Sequence, residues 1–311
     1  MIKPGNDSFI KFLLKLSACF ALLFILDMGI GKLLKKFYFK QESGFNFLTT
    51  YSIEKTKADI LILGSSRAVN IFNTTIFGKR TGLSCFNAGR NGEPIFYHYA
   101  VLKAVVKRYT PKIVLLSFDG GNFSKNTDAY DRITVLLPYY KNHPEIHSVV
   151  ELKGPYETLK LLSNIYPYNS LLLPIISGNS NYSKKKYITS NGFTPLEKTF
   201  KGPLQIIDYS KEKDLDSIKI KVYKSFIEEC IRQHIQLYII CPPYMINPIG
   251  TDHSITEAKE IALQYNIKFL DYSRDTFFTS KPQLFADFRH LNVNGVELFS
   301  NNVIDKLDSI P

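Results

Sequence analysis

The chain has 311 residues, 45% hydrophobic and 22% charged, an ordinary globular balance with ample material for a core. A net charge of +11 fits an anionic partner: nucleic acid, a membrane surface or an acidic polysaccharide. Lys and Arg are scattered, however. The densest cluster in the soluble part is the short Lys184-Lys185-Lys186, and no RNP-like, zinc-finger or helix-turn-helix signature is present, so nucleic acid is set aside. Cys19, Cys85, Cys230 and Cys241 have no metal-type spacing, and the sequence shows no metal-ligand cluster.

Residues 9–34 are strongly apolar, with Lys11, Lys15, Asp27 and Lys32 as the only charges. As a helix this run would be about 39 Å long at ~1.5 Å per residue, enough to span a bilayer core of ~30 Å. Its least polar part, residues 16–26, is short and nearer to a signal-peptide core. No small-x-small cleavage site follows. Leu16-Ser17-Ala18-Cys19 resembles a bacterial lipobox, but most of the apolar stretch comes after the Cys. Residues 1–40 are therefore read as an uncleaved membrane anchor, with a lipoprotein or a buried or interfacial helix as alternatives. Lys residues flank the run on both sides, so the positive-inside rule gives no clean orientation. Asp27 within a span is costly unless it faces protein or water.

After a polar link at about residues 41–57, the rest of the chain alternates short apolar runs with amphipathic segments. Residues 59–64, 84–87, 112–118, 236–241 and 267–271 read as strands, near-continuously apolar in the manner of a parallel sheet covered on both faces. Helices are expected over residues 94–108, 216–234, 254–265 and 294–307. The fold class is α/β, a three-layer doubly wound parallel sheet. Residues 124–210 break the rhythm. Rich in Tyr, Asn, Pro, Ser and Lys, they read as a large insertion with some structure of its own.

Three local patterns fall at strand ends, where the ligand sites of α/β folds gather. In Gly64-Ser65-Ser66-Arg67 a Ser sits in a tight strand-to-helix turn with its hydroxyl exposed, and the helix can aim N–H groups at an oxyanion. A plain turn and N-cap is the structural alternative, and Ser65 is the competing nucleophile. In Asp287-Phe-Arg-His290 the Asp can orient the imidazole, as a triad requires, with Asn292 or Asn294 capping the last helix. A surface ion pair is the alternative. In Asn87-Ala-Gly89-Arg-Asn91-Gly92, Gly permits a close backbone approach to a substrate.

Taken together, these residues resemble the SGNH (GDSL-like) hydrolase superfamily. Gly64-Ser65-Ser66 is similar to its Gly-Asp-Ser block, with Ser65 where the family usually has Asp. Asn87-Ala-Gly89, Gly120-Gly121-Asn122 and Asp287-x-x-His290 resemble the later blocks, in the family's order. The resemblance implies Ser66 as nucleophile, His290 as base and Asp287 as its orienting partner, with no metal or organic cofactor required. It also implies an oxyanion hole of the Ser66 and Gly89 N–H groups with the Asn122 side chain. The third block sits slightly further past its strand than expected.

Arg67 and Asn91 are candidate substrate contacts, a helix-surface role being the alternative for Arg67. Asp119 either reaches the pocket or caps a turn, and Cys241-Pro-Pro-Tyr244 would wall it by shape. His98, His143, His147, His234 and His253 read as structural or exposed. Ser65 in place of Asp also occurs in membrane-anchored members acting on exported polymers. The expected function is thus an extracytoplasmic O-acyl esterase or acyltransferase on acyl, chiefly acetyl, esters of cell-envelope or exported polysaccharide. A membrane-bound O-acyltransferase would be a natural partner. The alternatives are a lipase-like esterase or lysophospholipase, and a non-catalytic subunit that keeps the fold.

Overall fold

The strand segments are dense in Ile, Leu and Val, residues whose branched side chains fit a pleated, buried surface. In the computed structural model, which describes residues 4–180, 190–211 and 214–308, they form Ile60–Leu63 (β1), Cys85–Asn87 (β2), Ile113–Ser117 (β3), Gln236–Cys241 (β4) and Lys268–Asp271 (β5). The Lys184-Lys185-Lys186 cluster lies outside the described residues. All five strands pair in parallel, in the spatial order β2-β1-β3-β4-β5. This is the flavodoxin-like doubly wound order, whose topological switch point lies between β1 and β3.

The helices are Pro4–Phe39 (α1), Gly44–Glu54 (α2), Ser66–Ile71 (α3), Thr74–Thr81 (α4), Ile95–Val106 (α5), Ser217–Arg232 (α6), His253–Gln264 (α7) and Val293–Asp305 (α8). Because side chains alternate across a strand, the sheet divides its apolar residues between two cores. Leu61, Leu63, Val114, Leu116, Leu237 and Ile239 pack with α2, α5, α6 and α7. Ile60, Ile62, Ile113, Leu115 and Ile240 face the other way, against Phe77 of α4 and Phe299 and Val303 of α8. The three-layer expectation is met, and all four expected helices form close to their expected bounds. Asp216, Asp252 and Asn292 cap α6, α7 and α8 through side-chain oxygens that accept N–H groups of the first turn.

One stretch differs from the sequence reading. The supposed polar link holds helix α2, whose inner face carries Asn46, Thr49, Ser52 and Ile53. Hydroxyls there bond back to the helix (Ser52 Oγ to the Leu48 carbonyl, 2.7 Å) or across to Tyr97 (Thr49, 3.0 Å), so a polar-looking sequence packs inside. The described part of the insertion up to Gly178 is a succession of short helices, and its Ile133, Leu136, Leu137, Tyr139, Ile146 and Val150 join the core on the α5 side. Its far end, Gln205–Asp208, makes a small parallel ladder with Ile246–Ile249.

Helix α1 has two unlike parts. Its segment Asp7–Phe39 is long and apolar enough to cross a membrane, and residues 7–26 are exposed along their whole length. From Asp27 onward the helix packs on the domain. Tyr38 is buried in the main core, with its hydroxyl 3.1 Å from that of Tyr139; Asn179 Nδ2 donates to the Phe37 carbonyl (3.0 Å).

Candidate active site

The chain leaves β1 through Gly64, where φ is +146° and a Cβ would stand 2.6 Å from Ser117 Cβ and 2.9 Å from Ala68 Cβ. Only Gly fits so close to β3, and this tight exit sets Ser65 and Ser66 at the start of α3. Beneath it, Asn87 at the end of β2 donates from Nδ2 to the Ala68 (2.7 Å) and Phe72 (3.2 Å) carbonyls, tying α3 to the sheet.

The other half of the site comes from the loop before α8. Phe285 and Leu291 bridge across it, and Ala286 N donates to the His290 carbonyl at 2.8 Å. Asn292 fixes its base, capping α8 at Gly295 N (3.2 Å) and donating to the Gln283 carbonyl (2.7 Å). Of the two capping candidates, Asn292 is the residue used.

The two halves meet. Ser66 Oγ lies 2.9 Å from His290 Nε2, and His290 Nδ1 lies 2.9 and 3.0 Å from the two carboxylate oxygens of Asp287. Asp287 Oδ1 also accepts the N–H groups of Arg289 (2.8 Å) and His290 (3.0 Å). Partial burial would raise the Asp287 carboxyl, but the His290 ring and these N–H groups outweigh it and hold the group at about 2. The anion is therefore secure beside the imidazole, and with Nδ1–H donating to it, Nε2 is left to accept the proton of Ser66 Oγ–H.

Ser65 makes a different contact. Its hydroxyl donates to Asp119 Oδ2, and Asp119 Oδ1 pairs with Arg67 Nη1 at 3.3 Å. Arg67 is only 2% exposed. Its Nη2 donates to the carbonyls of Pro242 and Pro243 (3.1 Å to the latter), and its guanidinium lies 3.5 Å from the Tyr244 ring centroid. The Tyr244 hydroxyl in turn accepts Gly120 N at 2.7 Å. Arg67 is thus neither a helix-surface residue nor a free grip for substrate. It braces the floor of the site, where its carboxylate partner Asp119 also accepts the Ser65 hydroxyl.

A cavity of about 310 Å³ opens in front of Ser66. Asn122 lines it, as the sequence reading anticipates, together with Glu93, Asn126, Arg132, Lys219 and Arg289. Asn91 is exposed and outside this lining; its neighbours Gly92, Glu93 and Pro94 take the wall instead, because the turn points Asn91 to solvent. Gly89 is also off the wall, and its N–H donates to Asn87 Oδ1 at 3.0 Å, so it is not a free oxyanion donor in this conformation.

The sequence reading missed Glu93, Arg132, Lys219 and Arg289. They lie far apart in sequence, and only Arg289, between Asp287 and His290, carried a local signal. Burial pushes the Glu93 carboxyl up to about 7, against the pull of Arg90 and Arg132. Among the described residues no group of three or more His, Cys, Asp or Glu is placed to hold a metal ion.

No family model matches the chain, and no curated protein matches it. Among solved structures it is similar to an acetyl xylan esterase (TM-score 0.41, 14% identity, covering 80% of this chain and 100% of that one). It is similar to an acylhydrolase of Bacteroides fragilis (0.41, 13%, 86% and 96%) and to a lipase/acylhydrolase of Enterococcus faecalis (0.39, 14%, 79% and 94%). Likeness at this level assigns neither substrate nor catalytic residues.

Proposed function

We propose that the protein is a serine esterase or O-acyltransferase acting on acyl esters of a hydrophilic polymer. The single observation that carries this reading is the unbroken hydrogen-bonded series Ser66–His290–Asp287 at the mouth of a cavity. Ser66 Oγ attacks the ester carbonyl while its proton passes to His290 Nε2, and Asp287 stabilises the imidazolium. The leaving alkoxide takes that proton as the C–O bond breaks, leaving an acyl group on Ser66. Water, or an acceptor hydroxyl in a transferase, then attacks the acyl carbonyl as its proton passes to His290, and Ser66 Oγ takes that proton back as its bond to the acyl group breaks. The N–H of Ser66, at the first turn of α3, and the Asn122 side chain are the proposed oxyanion donors; Gly89 would join only if its bond to Asn87 opened.

The lining of Arg132, Lys219, Arg289, Glu93, Asn122 and Asn126 favours a hydrophilic substrate, such as an acylated carbohydrate, over a lipid chain. The Asp27 contacts of α1 support retention of this helix as an anchor. Export of the domain and partnership with a membrane-bound O-acyltransferase are part of the same reading, since such polymers lie outside the cytoplasm. A fluorophosphonate probe should label Ser66 in the full-length protein, and Ser66→Ala should abolish both labelling and release of acetate from acetylated polysaccharide. Labelling at Ser65, or undiminished release by Ser66→Ala, would sink the assignment. Protease added to intact spheroplasts should digest the domain; protection until lysis would place it inside.

A further inference from the structure

Asp27 stands in the middle of an apolar helix, yet its carboxylate is fully engaged. It accepts Ser163 Oγ (2.5 Å), Asn164 N (2.7 Å), Asn164 Nδ2 (2.9 Å) and Ile165 N (3.2 Å). One turn on, Gly31 is pressed against the same loop: a Cβ there would stand 2.4 Å from Asn164 Cβ. Residues 163–165 of the insertion are therefore clamped onto α1. With residues 7–26 across a bilayer core, Asp27 falls at its edge, where an unpaired carboxylate would still be costly, and the loop supplies its donors.

Apolar side chains on either side of the clamp point away from the protein. Tyr156, Leu159 and Leu162 precede it; Leu172, Leu173 and Ile176 follow it, with Leu162, Leu173 and Ile176 respectively 73, 79 and 68% exposed. The last three lie on the outer side of the short helix Leu172–Gly178, whose Ile175 and Gly178 face inward. Lys32, Lys35, Lys36 and Lys40 follow on the domain side of the clamp, all exposed. Residues 7–26, exposed throughout, measure ~30 Å as a helix, about one bilayer core.

We infer that residues 156–176 form a collar that dips into the lipid around α1, with the bilayer itself as the occupant of the exposed apolar surface. Three features favour lipid over a protein partner. The surface is continuous with the span, it begins at the depth of Asp27, and it is bordered by lysines suited to anionic headgroups. The inference rests on α1 being retained as a transmembrane helix.

The test uses full-length protein in phosphatidylcholine/phosphatidylglycerol vesicles, on a Cys19→Ser background, since the other three cysteines are buried. An environment-sensitive fluorophore is attached at Leu162→Cys, Leu173→Cys or, as a control on exposed α7, Leu263→Cys. Labels at 162 and 173 should shift to the blue and be quenched severalfold more strongly by lipids doxyl-labelled near the headgroup than the label at 263. Iodide quenching at 162 and 173 equal to that at 263 would overturn the collar. So would protection from iodide without quenching by lipid, which would mean a protein covers the patch. Failure of the protein to float with the vesicles would overturn the anchor, and the collar with it.

Discussion

At the residue scale, the proposed chemistry rests on an imidazole held from both sides. His290→Ala should lower kcat/KM for p-nitrophenyl acetate by several orders of magnitude, and Asp287→Asn somewhat less, because triad members act as a unit but not equally. Near-normal turnover by a folded His290→Ala protein would remove the base from the mechanism. Ser65→Ala leaves the Ser66–His290 bond in place and loses only the contact with Asp119, so most activity should survive in the same assay.

Arg67→Met is a harsher change. It strips the buried Asp119 of its counter-charge and takes the guanidinium donor from two proline carbonyls, a loss of about 3–5 kcal/mol by comparison with other broken buried pairs. Urea unfolding would measure it, and an unchanged midpoint would show that Arg67 carries no structural weight. The pattern Gly-Ser-Ser-Arg was visible in the sequence, and so was Asp-x-x-His. The role of Arg67 was not, because its partners Asp119, Pro242, Pro243 and Tyr244 come from two other strand ends that only the sheet order brings together.

Among the elements, the strands were the most legible, since each is an uninterrupted apolar run bounded by Gly, Asn or polar turns. Helix α2 was hidden by hydroxyl and amide side chains that serve as its inner face once Tyr97 and Arg90 supply partners; Arg90 Nη1 reaches Thr49 Oγ1 at 2.8 Å. The insertion was legible as an irregular stretch, but its merging with the main core depends on contacts across more than one layer. The loop before α8 offers the test at this scale. Asn292→Ala removes the α8 cap and the bond to the Gln283 carbonyl, so stability should fall by about 0.5–2 kcal/mol or somewhat more. His290 should also be positioned less firmly, so kcat should drop more than KM changes. A fall in stability with kcat intact would separate the cap from the catalytic geometry.

For the whole molecule, the buried Glu93 predicts how stability responds to pH. Its carboxyl lies higher in the folded protein, at about 7, than its ordinary value of 4.5. Folding therefore favours the protonated form, and this contribution is complete below about pH 4.5 and disappears as the pH rises through about 7. Denaturant midpoints measured across that interval should fall with pH, and Glu93→Gln should flatten the trend. An unchanged slope in the variant would assign the titration elsewhere. Asp287 acts in the opposite direction, losing its contribution only as the pH falls from about 3.8 toward about 2, so the two effects are separable.

Tyr38 and the Asn179 bond to the Phe37 carbonyl make the end of α1 a wall of the domain rather than a rope tied to it. With α1 in a bilayer, the nucleophile then has a fixed altitude. Thousands of such molecules would present their reactive hydroxyls in one thin plane parallel to the lipid, free to drift sideways but unable to reach up or down. Under the proposed function, strands of polymer threading through that plane would be processed wherever they cross it, and strands lying above it would be left untouched however long the exposure.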